Sequence, residues 1–313
     1  MSSFLQAAFL VSLLASMIRI ATPILYAAMG ELVAERSGVL NLGVEGMMLT
    51  GALVGFLVTY YTGKLWLATL MAVIAGMLLA FIMAFMAATL KVDQIITGLA
   101  INLVALGLTT YGYRLAFKNV GTQNPATIPT YGAVRVPILC NIPFLGEILF
   151  SQHLLTYAAF LAVPLISLFL YRTRFGLELR GIGDNPRALD MKGVSVSRYQ
   201  YLAVIFGGAM AGLGGAFLTQ ASTGIFVPQI SAGRGWIAVA IVIFGNWKPS
   251  WVLLGSLFFG LVDSTQLSLQ AVGLDLPYQL LLSLPYVLTI LALVVNRSRS
   301  ESPLSLGRPY IRE

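Results

Sequence analysis

The chain has 313 residues, of which 58% are hydrophobic and only 10% are charged, and its mean hydropathy is +0.86. Soluble domains carry about 25% charged residues, so this composition excludes a soluble protein and indicates a chain with many membrane spans. The net charge of +7 does not indicate nucleic acid, because few segments between the apolar runs are long enough to form a binding domain. A single cysteine, Cys140, excludes an internal disulfide and any site built from several cysteines.

Runs of apolar residues predict the transmembrane helices in chain order, since one span needs about 20 such residues. The predicted spans cover residues 4–29, 44–60, 65–90, 94–113, 154–170, 201–220, 251–270 and 277–295. Residues 236–245 are apolar but too few to span without their flanks, and residues 30–43 are polar and awkward for a helix. We therefore predict an all-α, polytopic membrane protein with about 8–10 transmembrane helices, as a single domain over residues 1–313.

The distribution of Lys and Arg predicts the orientation, because the cytoplasmic loops of membrane proteins carry an excess of positive charge. Residues 171–199 carry six of these side chains, and the tail at 296–313 carries four. Both segments are therefore predicted to be cytoplasmic, which places the N-terminus outside and the C-terminus inside. The long stretch 114–152 contains four prolines and is predicted to be an external loop.

The polar stretch 171–199 has the signals of a short helix at its centre, over residues 184–191. Asp184 is the predicted N-cap, and Asn185-Pro186 places a proline in the first turn, where its missing N–H costs least. Gly193 can end the helix in a left-handed conformation. One interpretation is a solvated basic loop that only sets topology. The length and turn chemistry favour a surface on which a soluble partner docks.

Three blocks cover most of the chain: ATPILYAAMGELVAERSGVLNLGVEGMMLTGA, GIGDNPRALDMKGVSVSRYQYLAVIFGGAMAGLGGAF and GRGWIAVAIVIFGNWKPSWVLLGSLFFGLVDSTQL. They resemble the permease subunits of bacterial ABC importers for ribose-type sugars, branched-chain amino acids and nucleosides. The parts ERSGVLNLGVEGMM and GRGWIAVAIVIFGNWKP are most similar to the nucleoside-type branch. The resemblance implies that residues 171–199 are a coupling segment that fits a cleft of the ATPase subunit. Its candidate coupling residues are Gly183, Asp184, Asn185, Pro186, Arg187, Ala188, Asp190 and Gly193.

The same resemblance implies the partners and the location of the chain. The partners are a second permease subunit in a heterodimer, a cytoplasmic ABC ATPase and an extracytoplasmic substrate-binding protein, assembled in a bacterial inner membrane. The chain itself is expected to bind no cofactor and to be no enzyme, with ATP used by the partner ATPase. It lacks the G-x-x-x-x-G-K-[ST] loop that cradles ATP phosphates, and it lacks H-E-x-x-H and G-x-S-x-G.

Polar side chains inside the predicted membrane zone are candidates for function, because they are costly there. Glu31 and Glu35 are predicted to lie at the membrane–water interface, whereas Glu45 lines a pathway or pairs with Arg19. Buried ion pairing explains such residues equally well. The pathway candidates are Asn41, Glu45, Asn102, Asp263 and Gln266.

The cargo predicted from the resemblance is a nucleoside, which needs apolar walls and a few hydrogen-bonding groups. A ribose-type sugar would accept much the same lining and is the alternative cargo. The alternative mechanism is a stand-alone secondary transporter with coupling sites at Glu45 and Asp263.

Glycines at a spacing of four residues predict faces on which helices pack closely, and packing within this chain is favoured over a subunit interface. These glycines are Gly51 and Gly55 in one segment and Gly208 and Gly212 in another. Residues 37–55 and 231–245 each place glycines before a short apolar helix, so interrupted helices in an inverted repeat are a further hypothesis.

Overall fold

The computed structural model describes residues 2–118, 126–135, 140, 142, 144–272 and 302–311, which form a bundle of helices with one short pair of strands. Seven helices in these ranges are long and apolar enough to cross a membrane, so the all-α polytopic fold is confirmed. The predicted span at 277–295 lies outside the described residues, as do residues 296–301 of the predicted tail.

The described chain contains eleven α-helices. They are α1 (Ser2–Arg36), α2 (Val44–Thr62), α3 (Leu65–Ala84), α4 (Gln94–Ala116), α5 (Leu145–Leu149), α6 (Leu154–Arg172), α7 (Arg174–Asp184), α8 (Pro186–Met191), α9 (Val196–Phe217), α10 (Arg234–Phe244) and α11 (Pro249–Val272). Helices α3 and α9 continue as π-helical turns at Phe85–Thr89 and Leu218–Thr223. The strands β1 (Ala133–Arg135) and β2 (Ser151–His153) pair in antiparallel fashion.

Helix α1 is longer than its sequence predicts. The predicted span ends at residue 29, but the helix continues to Arg36. The expectation that residues 30–43 are awkward for a helix is therefore wrong for residues 30–36. The reason is packing at Gly30, where a Cβ would lie 2.7 Å from the Cβ of Met210 and 2.8 Å from the carbonyl oxygen of Gly207. The glycine therefore allows α1 to approach α9 and does not end the helix.

Helix α9 lies at the centre of the bundle and packs against α1, α2 and α3. A Cβ on Gly51 of α2 would lie 2.6 Å from the carbonyl oxygen of Gly212 in α9, and a Cβ on Gly212 would lie 2.5 Å from the carbonyl oxygen of Ala72 in α3. The glycine faces predicted for α2 and α9 therefore bring these helices together within the chain.

Two ends of the bundle are distinguished by which loops meet there. At the end we call the coupling end, Gly38, which follows α1, lies beside Gly183 of α7 and accepts a backbone hydrogen bond from Gly307 near the C-terminus. The turn at Lys64 between α2 and α3 marks the far end, about 28 Å away along the 19 residues of α2.

Helix α10 is too short to cross a bilayer, as its sequence predicts. Its 11 residues give a length of about 16 Å, roughly half of a 30 Å hydrocarbon core. It ends at a turn where Asn246 and Trp247 both have positive φ, 49° and 53°, which is rare for residues other than glycine. Trp247 is bonded to the last turn of α1, so α10 runs from within the bundle to the coupling end.

Candidate functional site

The carboxylate of Glu45, in the first turn of α2, lies against the N-terminus of α10. Its Oε1 accepts hydrogen bonds from the Ser231 hydroxyl at 2.5 Å and from the Gly233 backbone N–H at 2.9 Å, and its Oε2 accepts from the Gly235 N–H at 2.7 Å. A helix N-terminus presents unpaired N–H groups and the positive end of the helix dipole, so it favours an anion. The half-buried Glu45 carboxylate of α2 therefore acts as the anion at the N-terminus of α10.

Glycine is required where α2 and α10 meet. A Cβ on Gly235 would lie 2.6 Å from the backbone nitrogen and Cα of Glu45. Gly233 has a φ of +81°, a conformation that L side chains rarely adopt. The glycines before α10 thus serve to bring the starts of two helices into contact.

Asn102 of α4 joins the loop before α2 to the first turn of that helix. Its Oδ1 accepts from the Gly46 N–H at 2.7 Å, and its Nδ2 donates to the Leu42 carbonyl at 2.7 Å. Both ends of the amide are used within the chain, so Asn102 positions the start of α2.

Asn41 is fully buried in the same loop and is also bonded within the protein. Its Oδ1 accepts from the Gly43 N–H at 3.1 Å, a local turn that asparagine favours, and its backbone N–H donates to Glu31 Oε1 at 2.9 Å. Three of the five predicted pathway residues, Asn41, Glu45 and Asn102, therefore converge on the start of α2.

Asp263 and Gln266 lie on α11, which packs against α1 and α10. The positive charge of Arg234 in the first turn of α10 acts on the half-buried Asp263 carboxyl, and the Arg234 guanidinium donates to the Ser231 carbonyl at 3.2 Å. Ser231 links Arg234 to the Glu45 site, because its carbonyl accepts from Arg234 and its hydroxyl donates to Glu45. Gln266 is buried one turn further along α11.

The alternative pairing of Glu45 with Arg19 is wrong. Arg19 is exposed, and its guanidinium lies 3.4 Å from the Ser16 hydroxyl of its own helix. Both oxygens of Glu45 instead accept hydrogen bonds from backbone and hydroxyl donors at the start of α10.

Glu31 and Glu35, which the sequence predicts at the membrane–water interface, are both fully buried among protein side chains. Glu31 accepts from the Asn41 N–H in the loop before α2, and Glu35 accepts from the indole N–H of Trp247 after α10. Arg36 donates to the Trp247 carbonyl at 2.9 Å. The last turns of α1 thus hold the start of α2 and the end of α10. Glu31 and Glu35 are four residues apart, so both carboxylates lie on one face of α1. This spacing is visible in the sequence.

The predicted coupling segment forms two consecutive helices, α7 and α8. The predicted N-cap is wrong: Asp184 is the last residue of α7, and Asn185 caps α8, with its Oδ1 accepting from the Ala188 N–H at 3.1 Å. Pro186 is the first residue of α8, as predicted, because that position needs no N–H donor. Gly193 has a φ of +84° and follows the helix, also as predicted.

None of the six residues of α8 is buried, so this helix lies on the surface of the described bundle. Asp184, Asn185 and Arg187 are exposed, whereas Ala188 and Asp190 are partly covered. Gly183 is the exception among the candidates, because it is buried against the end of α1.

A polar network holds the opposite end of the bundle, and no motif or spacing in the sequence predicts it. The Tyr131 hydroxyl lies 2.9 Å from the Thr69 hydroxyl, which donates to Gln220 Oε1 at 2.6 Å, and the Tyr131 N–H donates to the Gln220 carbonyl. Burial raises the pKa of Tyr131, and burial lowers the pKa of His153. The described part of the predicted loop 114–152 is therefore fastened onto the π-helical end of α9.

Comparison with known proteins places this architecture in a family. The family described as "Branched-chain amino acid transport system / permease component" matches residues 13–293. The chain belongs to this permease family. It is therefore a transport component of the membrane and not an enzyme.

Relatives whose names state a transported substrate are similar to nearly the whole chain. The chain is 40% identical to the "Putative glucose ABC transporter permease protein TsgC13" of Haloferax volcanii, over 97% of this chain and 99% of the relative. It is 36% identical to the "Guanosine ABC transporter permease protein NupQ" of Bacillus subtilis, over 93% and 94%. It is 33% identical to the "Nucleoside ABC transporter permease protein NupC" of Lactococcus lactis, over 96% of both chains.

The same organisms supply a second set of permeases that match less closely. These are NupP of Bacillus subtilis, at 28% identity, and NupB of Lactococcus lactis, at 24% identity. The family thus includes pairs of different permeases from one organism.

Proposed function

We propose that the chain is the membrane-spanning permease subunit of an ATP-driven ABC importer for nucleosides. The observation that carries the proposal is the similarity to a guanosine permease and a nucleoside permease along more than nine-tenths of each chain. A simple sugar is the second candidate cargo, because the glucose-type relative is 40% identical over 97% of this chain.

The importer is expected to contain four kinds of subunit. The second permease is a different chain, as the two Nup pairs support. A cytoplasmic ABC ATPase supplies the energy, and an extracytoplasmic binding protein delivers the cargo. The complex is placed in a bacterial inner membrane, with the coupling end and the C-terminus in the cytoplasm and the N-terminus outside. This orientation follows from the positive charges of residues 171–199.

The geometry suggests how ATPase motion reaches the membrane. Residues 184–193 dock on the ATPase and move with it, and Gly183 transfers the movement to the end of α1 because it lies against Arg36. Glu31 and Glu35 then carry it to the start of α2 and the end of α10. Since Glu45 joins those two helices, they shift together and open the pathway on one side at a time.

Uptake of labelled cargo tests the proposal. Cells that carry or lack this chain would be given labelled guanosine, adenosine, ribose and glucose in separate assays. We expect the nucleoside signals to depend on the chain. Loss of sugar uptake with unchanged nucleoside uptake would contradict the cargo and leave the permease intact. Uptake that survives ATP depletion but stops with a protonophore would instead support a secondary transporter.

A further inference from the structure

The C-terminal segment 302–311, which we call the strap, lies across the coupling end. The Ser305 N–H donates to the Gly183 carbonyl at 2.9 Å, and the Gly307 N–H donates to the Gly38 carbonyl at 3.1 Å. The Tyr310 hydroxyl reaches α8 itself and donates to Asp190 Oδ2 at 2.9 Å. The strap therefore contacts the end of α1, the end of α7 and α8 at once.

The three segments are in van der Waals contact where they meet. Gly38 has a φ of +87°, and a Cβ there would lie 3.5 Å from the Gly183 Cα and 3.6 Å from the Ser305 carbonyl oxygen. Pro303 is buried and Leu306 packs against the main hydrophobic core of the bundle. These contacts anchor the strap on the membrane domain, so it is not a solvated tail.

Helix α8 needs such an anchor, because it buries none of its own residues. A six-residue helix is marginal in isolation and depends on outside contacts for its stability. Asn185 holds its first turn, and Tyr310 holds its last turn through Asp190. A docking element that transmits movement must be held at both ends.

We propose that the strap is a positioning element that fixes α8 to the bundle and forms part of the surface that contacts the ATPase partner. This inference rests on the proposed function for the identity of the partner. The strap adds the exposed side chains of Leu304, 77% exposed, and Ile311, 65% exposed, to that of Met191, the last residue of α8, which is also 77% exposed. Exposed apolar groups on the two segments that meet here fit a cleft with apolar walls in a protein partner.

Hydrogen exchange of residues 184–193 tests the positioning role in the isolated permease within lipid nanodiscs. Tyr310→Phe removes the bond to Asp190, and a chain that ends at Glu301 removes the strap. Both variants should exchange faster in α8, by about tenfold for Tyr310→Phe if a bond to a charged group is lost. The exposed Pro309 gives the matched control, because Pro309→Ala leaves that bond in place. Unchanged exchange in both variants would overturn the proposal.

Assembly of the whole complex tests the contact with the ATPase. Leu304→Asp keeps the strap backbone and places a charge on the proposed contact, so less ATPase should co-purify with the permease. Tyr310→Phe should retain ATPase binding but move less cargo per ATP hydrolysed. Normal co-purification with Leu304→Asp would remove the strap from the contact surface. If the wild-type complex imports no nucleoside, the proposed cargo fails, while the exchange and co-purification results still decide the role of the strap.

Discussion

The carboxylate of Glu45 accepts the backbone N–H of Gly235 at 2.7 Å and so joins the starts of α2 and α10. The two helices begin in different parts of the chain, and neither could satisfy its first N–H groups alone within a membrane. Glu45 supplies oxygens to α10, and Asn102 supplies one to α2. The polar residues of this region thus hold two helix ends inside the membrane zone, which is one reason that they occur there.

Glu45→Gln should destabilise the protein although it keeps the size of the side chain. The amide can accept through one oxygen only, so its NH₂ group would face either the Gly235 N–H or the pair formed by the Ser231 hydroxyl and the Gly233 N–H. An unsatisfied buried donor costs about 1–3 kcal/mol, so we expect a lower unfolding temperature in detergent. Ser268→Ala is the control, since within the described part of the chain that hydroxyl donates to the Ser264 carbonyl of its own helix. Equal stability of Glu45→Gln and wild type would show that the joint is not important to the fold.

Asn102→Asp separates a structural role from a pathway role. The variant keeps an acceptor for the Gly46 N–H but turns an oxygen towards the Leu42 carbonyl, which now receives no donor. We expect lower thermal stability and less inserted protein, with the KM for cargo unchanged in the fraction that remains. A changed KM with normal stability would instead place Asn102 in contact with the cargo.

The sequence predicted the helices well because their apolar runs are long, and it failed where local signals compete with packing. Gly30 reads as a helix breaker, yet its position opposite Gly207 and Met210 makes it a close-packing residue. Only the neighbouring helix decides between these roles, and periodicity does not identify the neighbour. For the same reason, the sequence indicates that the Glu31 carboxylate is costly inside a membrane, but it does not predict that this carboxylate accepts a hydrogen bond from the Asn41 N–H.

The cap of α8 shows the limit on a smaller scale. Asp184 and Asn185 are adjacent and both favour the N-cap position, so composition alone does not choose between them. The structure selects Asn185, because α7 continues through Asp184. The sequence identifies Glu45 as a costly residue in the membrane zone, but its bond to Gly235 joins positions about 190 residues apart, which local patterns do not predict.

Replacing the two candidate caps tests the start of α8. Asn185→Ala removes the oxygen that accepts the Ala188 N–H and should cost about 1 kcal/mol of helix stability, whereas Asp184→Ala removes no cap. We expect Asn185→Ala to lower uptake and ATPase association at normal insertion, and Asp184→Ala to have the smaller effect. Gly193→Val should also impair coupling, since a β-branched residue is strained at a φ of +84°. The opposite order of the two alanine variants would contradict the assigned cap.

Isosteric and apolar replacements of Glu35 should differ in their effects. Glu35→Gln keeps an oxygen that can accept the Trp247 indole N–H, and Glu35→Leu removes it. A buried indole N–H without an acceptor costs about 1–3 kcal/mol, so the leucine variant should unfold at a lower temperature than the glutamine variant. Glu35→Leu should also weaken the turn after α10, where Trp247 has positive φ. Equal unfolding temperatures for the two variants would show that this bond does not hold α10 to α1.

Cysteine labelling tests the orientation, using Lys64 at the far end and Lys192 just after α8, both of which are exposed. Thr122 in the predicted external loop and Ser298 in the predicted cytoplasmic tail are expected to lie on opposite sides, but both fall outside the described residues. In a Cys140→Ser background, an impermeant thiol reagent should label Lys64→Cys on intact cells whose outer membrane, if present, has been opened. It should label Lys192→Cys only after the inner membrane is permeabilised, because positive charge favours the cytoplasmic side. The reverse pattern would place α8 outside the cell and exclude its contact with the ATPase.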